Sequence, residues 1–232
     1  MRIALAAVLA GALIAVGAGQ VAVAADFGSA PARGSWTSCY VGGNAGAAWD
    51  QTTVVDEVDP TIFIAGLNAT ALAGGGQIGC DYQFASHWVV GIQGLWDATG
   101  LDASTTGGLL GPLTLHGHIP WVATATVRLG YAPSPNLLLY AKGGGAWTHT
   151  DTNLYVTADG TPVDAASFDQ SGWTAGGGAE WKFAHGWSIF AEYDYLGFNS
   201  VVVSYPNSHN LGSVSQNVQL AVVGLNFRFG TP

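Results

Sequence analysis

Ile119-Pro120-Trp121-Val122-Ala123-Thr124-Ala125-Thr126-Val127-Arg128-Leu129-Gly130-Tyr131 splits by parity. One parity holds Ile119, Trp121, Ala123, Ala125, Val127, Leu129 and Tyr131, while the other carries Thr124, Thr126 and Arg128, with His118 just before. Around Lys182 the same split sets Trp173, Ala175, Gly177, Ala179, Trp181 and Phe183 against Thr174, Glu180 and Lys182. Side chains of a strand point alternately to opposite faces, so each segment reads as a strand with one apolar and one polar face. Every Lys and Arg beyond residue 33 falls on the polar parity. Charged residues are only 9% of the chain, too few to wet the outside of a soluble barrel. The pattern predicts a barrel turned inside out, with lipid outside and a polar lumen.

The chain has 232 residues and a mean hydropathy of +0.29, a size that suits one all-β domain. Met1 and Arg2 precede an apolar Ala/Gly/Val-rich run, and Ala22-Val23-Ala24 offers a small-residue cleavage site. Residues 1–24 are expected to be a cleaved signal peptide, 25–35 a flexible lead, and 36–230 the barrel. No later stretch has the length of a transmembrane helix, so any spanning structure must be built of strands closed on themselves. The 34 Gly, 9 Trp, 8 Tyr and 9 Phe fit curvature and interfacial aromatic girdles. A net charge of −9 argues against a nucleic-acid partner.

Alternation places eight antiparallel strands near 38–49, 71–84, 88–98, 117–131, 137–149, 171–183, 187–198 and 214–229. Short connections at 85–87, 132–136 and 184–186 alternate with long polar ones at 50–70, 99–116, 150–170 and 199–213. That rhythm describes an up-and-down transmembrane β-barrel. The expected lipid face carries Trp88, Val90, Ile92, Trp96, Leu137, Leu139, Trp147, Trp187, Ile189, Tyr193, Tyr195, Leu225, Phe227 and Phe229. The expected lumen receives Asp81, Gln93, Asp97, Arg128, Lys142, Glu180, Lys182, Glu192, Asp194 and Arg228. A one-residue slip would put Arg128 or Lys142 into lipid at about 2–4 kcal/mol each.

Ser35-Trp36-Thr37-Ser38-Cys39-Tyr40-Val41-Gly42-Gly43-Asn44 resembles the opening strand of small OmpA-like, RopB-type outer-membrane barrels, the porin-family surface antigens. Ser171 to Trp181, followed by Trp187 and Ala191-Glu192-Tyr193-Asp194-Tyr195, resembles that family's penultimate hairpin. Val223 to Phe229 resembles its closing strand. The chain departs from the family pattern at Cys39, where an aromatic is usual, and in the three residues after Phe229. The resemblance implies an integral outer-membrane protein that meets the barrel-assembly machinery during biogenesis, and the family's porin label implies a narrow solute pathway as an alternative role.

Gly74-Gly75-Gly76-Gln77-Ile78-Gly79 satisfies a dinucleotide-loop pattern, but an alternating strand rather than a helix follows, so room for bulky neighbours is the better reading. Cys39 and Cys80 share the lipid-facing parity at the short-turn ends of neighbouring strands. They can form a cross-strand disulfide if their Cα atoms approach within about 7 Å, or serve as two small apolar fillers. His116 and His118 form an H-x-H pair, an incomplete zinc set whose nearest carboxylate by topology is Asp97. No metal or other cofactor is expected.

Asp81, Arg128, Lys142, Glu180, Lys182, Glu192, Asp194 and Arg228 are expected to pair as a structural lumen network, because eight strands leave room only for side chains. Acidic residues Asp50, Asp56, Glu57, Asp59, Asp102, Asp151, Asp159, Asp164 and Asp169 are expected in the long loops. There they are solvated, or bridge to lipopolysaccharide phosphates through Mg²⁺ or Ca²⁺. Ser208, His209 and His149 are the residues a lipid-modifying enzyme would draw on, with no acid set beside them. The expected whole is a monomeric, non-catalytic outer-membrane barrel in contact with membrane lipids and lipopolysaccharide. It presents surface loops and supports the envelope. A narrow porin, a lipid-modifying enzyme and a soluble lipocalin-like barrel are the rivals.

Overall fold

The computed structural model describes residues 35–56, 63–84, 86–106, 111–204 and 211–230. The expected signal peptide, nearly all of the lead, and Glu57, Asp59, Ser208 and His209 lie outside them. Nine strands run in chain order: β1 (Ser38–Asp56), β2 (Phe63–Phe84), β3 (Trp88–Thr106), β4 (Leu113–Ser134), β5 (Leu137–Val156), β6 (Pro162–Ala184), β7 (Trp187–Phe198), β8 (Val201–Ser204) and β9 (Leu211–Phe229). Consecutive strands pair antiparallel from β1 to β7, β7 pairs with β9, and β9 returns to β1 from Cys39↔Phe229 to Asp56↔Gly212. The closed ring therefore has eight members, and closure removes the unpaired backbone edge that hydrocarbon does not tolerate. The short β8 continues the course of β7 past a break at Asn199-Ser200 and pairs only with the upper part of β9.

Parity in the lower ring follows the alternation of the sequence. Val127, Leu129, Ile92, Ile189 and Leu225 face outward and are exposed, while Arg128, Lys142, Gln93 and Glu192 face inward and are buried. Of the fourteen residues expected on the lipid face, Leu137 and Tyr195 are half-buried and the other twelve are exposed. Outward aromatics form two belts. Trp49, Trp96, Trp147 and Trp173 make the upper one; Tyr82, Phe84, Trp88, Tyr131, Trp181, Phe183, Trp187, Phe227 and Phe229 make the lower. Trp88 and Trp96, or Trp173 and Trp181, lie eight positions apart on their strands. At about 3.3 Å per residue and the usual strand tilt, that spacing sets the belt positions about 20 Å apart along the membrane normal, on the scale of the ~25 Å apolar band of outer-membrane barrels. Small residues make room for large ones inside the bore: a Cβ at Gly79 would collide with the Tyr40 ring.

The expected long loops are corrected by the structure. Residues 50–56, 63–70, 99–106, 113–116, 150–156 and 162–170 are strand, and the staves run on well above the upper belt. Polar residues there misled the reading because the polarity of the two faces inverts. Above the belt the outward side carries Asp102, Ser104, His116, Asp151 and Ser167, and the inward side carries Val54, Leu67, Leu101, Leu115, Leu154 and Val214. The two-residue period persists while apolar and polar exchange places. A bulge in β4 around Ile119-Pro120 also shifts parity, since proline has no N–H for the ladder. Ile119 consequently turns inward and His118 outward, the reverse of a strict alternation through Arg128.

The ring is also split above the belt. Among the described residues, β2–β3 pairing stops at Ala73↔Thr99, and β6–β7 pairing stops at Gly172↔Phe198. Beyond those points β2-β1-β9-β8 form one four-stranded leaf and β3-β4-β5-β6 another. The leaves pack face to face through Val54, Ala65, Leu67 and Val214 on one side and Leu115 and Leu154 on the other.

Candidate functional site

The bore holds two ionic clusters. In the lower one, Arg228 on β9 donates to Glu180 through Nε at 2.9 Å and Nη2 at 2.8 Å. It also reaches Asp81 at 2.8 Å and Ser38 at 3.0 Å. Arg128 on β4 donates to Glu180 at 3.2 Å and to the Tyr40 hydroxyl, and its guanidinium stacks 3.8 Å from the Tyr140 ring centre. Glu180 accepts also from Ser188 and Asn226. In the upper cluster Lys142 pairs with Glu192 and lies 2.8 Å from Asp194, while Tyr140 donates to Glu192 at 2.7 Å. Amides join the two: Lys142 donates to Gln93, Gln93 to Gln77, and Gln77 to Asn226.

Alternation along six strands delivers the charged side chains to one axis. Asp81, Arg128, Lys142, Glu180, Glu192, Asp194 and Arg228 meet there, and all are buried. Lys182 differs. It makes no ion pair among the described residues, donating instead to the Ser35 carbonyl at 2.7 Å and lying 4.0 Å from the Trp36 ring centre. The Trp36 ring is fully buried across the lower end of the bore, with its backbone N–H held by Gln83. Within the expected network Glu180 lies with the two arginines rather than with Lys142. The alternation missed Trp36, Tyr40 and Tyr140 as bore residues. The even parity of Trp36, Ser38 and Tyr40 was the available signal, masked because aromatics in such a chain are expected to face lipid.

These groups neutralise one another. Glu180 is saturated by two arginines, Ser188 and Asn226. Above the clusters, Leu95, Val122, Leu196, Leu220 and Val222 close the bore with an apolar layer.

The outward face above the belt carries a second constellation. His116 Nε2 lies 2.8 Å and His118 Nδ1 3.9 Å from Asp102 on β3. Asp97, the carboxylate expected beside them, faces the bore instead, on the opposite side of the wall. His149 contacts Asp169 at 2.7 Å and Asp151 at 3.4 Å. The hydrogen bond to Asp169, helped by the charge of Asp151, raises its pKa above the ordinary imidazole value. Ser167 donates to Asp151 rather than to His149. Asp50 and Asp164, expected in loops, are buried on the inward face, and among the described acidic residues of that set only Asp159 lies in a turn. Among the described residues no group of three or more His, Cys, Asp or Glu is arranged to hold a metal ion. Cys39 and Cys80 are directly opposed on β1 and β2 and joined by a disulfide.

A family model described as the outer membrane protein beta-barrel domain matches residues 11–229. The 31 kDa outer-membrane immunogenic protein of Brucella melitensis is 30% identical over 208 residues, 84% of either chain. An uncharacterised protein of Coxiella burnetii is 25% identical over 178 residues, 67% of this chain and 68% of its own. Among solved structures, the outer membrane protease OmpT of Escherichia coli superposes with a TM-score of 0.50 at 7% identity, covering 83% of this chain and 97% of its own; this likeness is one of fold alone. The lumen charges, the aromatic belts and the match across the strands converge, and the chain belongs to the outer membrane protein beta-barrel domain family, resident in the outer membrane.

Proposed function

We propose that the protein is a monomeric, non-catalytic structural barrel of the outer membrane that supports the envelope and displays its upper leaves at the cell surface. The observation that carries this reading is the filled bore. From below it is capped by Trp36, cross-linked by the Arg128–Glu180–Arg228 and Lys142–Glu192 groups, and stopped by an apolar layer. Water-filled channels belong to barrels of roughly twice as many strands. A surface role is supported by the name of the Brucella relative, an outer-membrane immunogenic protein. Residues 1–24 act as a cleaved signal peptide, the assembly machinery inserts the barrel, and lipopolysaccharide contacts its outward acidic face; Mg²⁺ or Ca²⁺ bridges Asp102, Asp151 and Asp169 to the phosphates.

Planar-bilayer recording tests the closed bore. The expected result is no steady conductance above the bare membrane. An ohmic conductance that changes when Lys142 or Glu192 is substituted would overturn the reading in favour of a narrow porin.

A further inference from the structure

The wall between β1 and β2 offers little to fix how those strands pair. From Gly43↔Gly76 through Asn44↔Gly75, Ala45↔Gly74, Gly46↔Ala73 and Ala47↔Leu72 to Ala48↔Ala71, every opposed pair holds Gly or Ala. Between β3 and β4, by contrast, Trp88 stands against Tyr131, Val90 against Leu129 and Ile92 against Val127. Opposed side chains select a register, and a glycine-rich strand pair is prone to slip. A slip of two residues would keep both faces correct, so the lipid that rejects a one-residue slip does not reject it. Cys39 and Cys80 stand directly opposed four positions below Gly43, and they are bonded. A bond at the root of this hairpin admits one register.

The same bond cannot be made where it now lies. Its sulfurs belong to an outward row. Val41 and Ile78 stand above them, Tyr82 below, and Phe229 and Ile92 to either side, all exposed on the lipid-facing wall. A disulfide forms by exchange, through a mixed disulfide. One cysteine thiolate attacks a sulfur of an oxidant's disulfide and expels the first oxidant thiolate. The second cysteine thiolate attacks the first cysteine's sulfur in the mixed disulfide and expels the other. The two cysteine protons pass through water to the expelled thiolates, and the oxidant leaves as a dithiol, reduced by two electrons. Both attackers are ionised, and hydrocarbon excludes an ionised thiol.

We propose that the Cys39–Cys80 bond is made in the aqueous periplasm by a soluble disulfide-bearing oxidant, before the strands enter the membrane. On that order of events β1 and β2 insert as a hairpin already closed at its root and locked in register. This goes beyond the structural reading, and whether the bore conducts has no bearing on it. The first test compares the chain oxidised before folding, the chain held reduced, and the Cys39→Ala/Cys80→Ala variant. Each is folded from urea into liposomes, and the folded form is followed on unheated gels. The oxidised chain is expected to fold severalfold faster than the other two, which should match one another. A chain that folds only when oxidised first leads to the same conclusion. In the second test the reduced chain, folded into lipid nanodiscs with both faces open to solvent, meets glutathione disulfide. Loss of its thiols, read by maleimide labelling after an acid quench, should be at least about tenfold slower than in urea at the same pH. One folding rate for all three chains would overturn the proposal, and so would thiols that oxidise equally fast in nanodiscs and in urea.

Discussion

Arg228 and Glu180 meet side-on, two guanidinium nitrogens against both carboxylate oxygens, although the strand β7 lies between theirs. The pair therefore ties the closing strand to β6 across the bore. Removing one partner leaves the other charge buried, a loss of about 3–5 kcal/mol. Glu180→Gln, which leaves Asp81 as the one carboxylate beside both Arg228 and Arg128, is expected to lower the temperature at which the folded form disappears on unheated gels; Arg128→Ala should shift it in the same direction. An unchanged midpoint for both variants would show that the ionic fill contributes nothing to the barrel's stability.

The Cys39–Cys80 disulfide sits in an apolar row. In register, Phe229 lies beside Cys39 and Ile92 beside Cys80, all facing outward near the lower belt. With a sequence separation of 41 between its ends it restricts the unfolded chain by about 4 kcal/mol on the loop-entropy account. Thiol–disulfide exchange needs an ionised attacker, which hydrocarbon excludes. A charged phosphine reductant should cleave the bond at least about tenfold more slowly in the bilayer-embedded barrel than in urea, measured by maleimide labelling after quenching. Equal rates would place the sulfurs in water.

Much of this arrangement was legible in the alternation and some was not. Arg128 and Val127 could be assigned opposite faces because the cost of exposing Arg128 to lipid fixes the register. The upper leaves escaped because their outward residues, such as Asp102 and Ser104, look like loop, and their inward leucines are too few in any one strand to announce a core. The bulge at Pro120 is a third case. A strict two-residue count through it sends His118 to the wrong side, and only the partner strands reveal that Asp102 rather than Asp97 stands opposite.

His149 lies two residues above Trp147, outside the hydrocarbon, and donates a hydrogen bond from its ring to Asp169 on β6, with Asp151 on its own strand and Trp121 opposite on β4. These carboxylates favour the imidazolium, so the folded-state pKa is raised. The sign follows from linkage. The stabilisation is fully present below the ordinary histidine value, near 6.5, and is lost as pH rises through the raised one. Because the site is exposed, the effect on stability is small and the titration itself is the useful readout. The His149 midpoint, followed by ring-proton NMR, should lie above that of free histidine and fall in Asp169→Asn. A midpoint unmoved by that substitution would mean that the contact does not persist in solution.

The inversion of polarity at the upper belt makes opposite demands on two outward positions of neighbouring strands. Val127 is outward in mid-band and 57% exposed, so in the membrane its neighbours are acyl chains. Ser104, on the outward face above Trp96, stands in the aqueous zone. Val127→Lys places a charge in hydrocarbon and should destabilise the inserted barrel by about 2–4 kcal/mol. Ser104→Lys should change stability by no more than about 0.5 kcal/mol, as at an ordinary wet surface. Reversible urea unfolding from liposomes measures both. Comparable losses at the two positions would mean that the hydrocarbon reaches past the belt and that the leaves lie in the membrane. A tolerated Val127→Lys would mean that the apolar band does not face lipid, and the fold would have to be read as a water-soluble barrel.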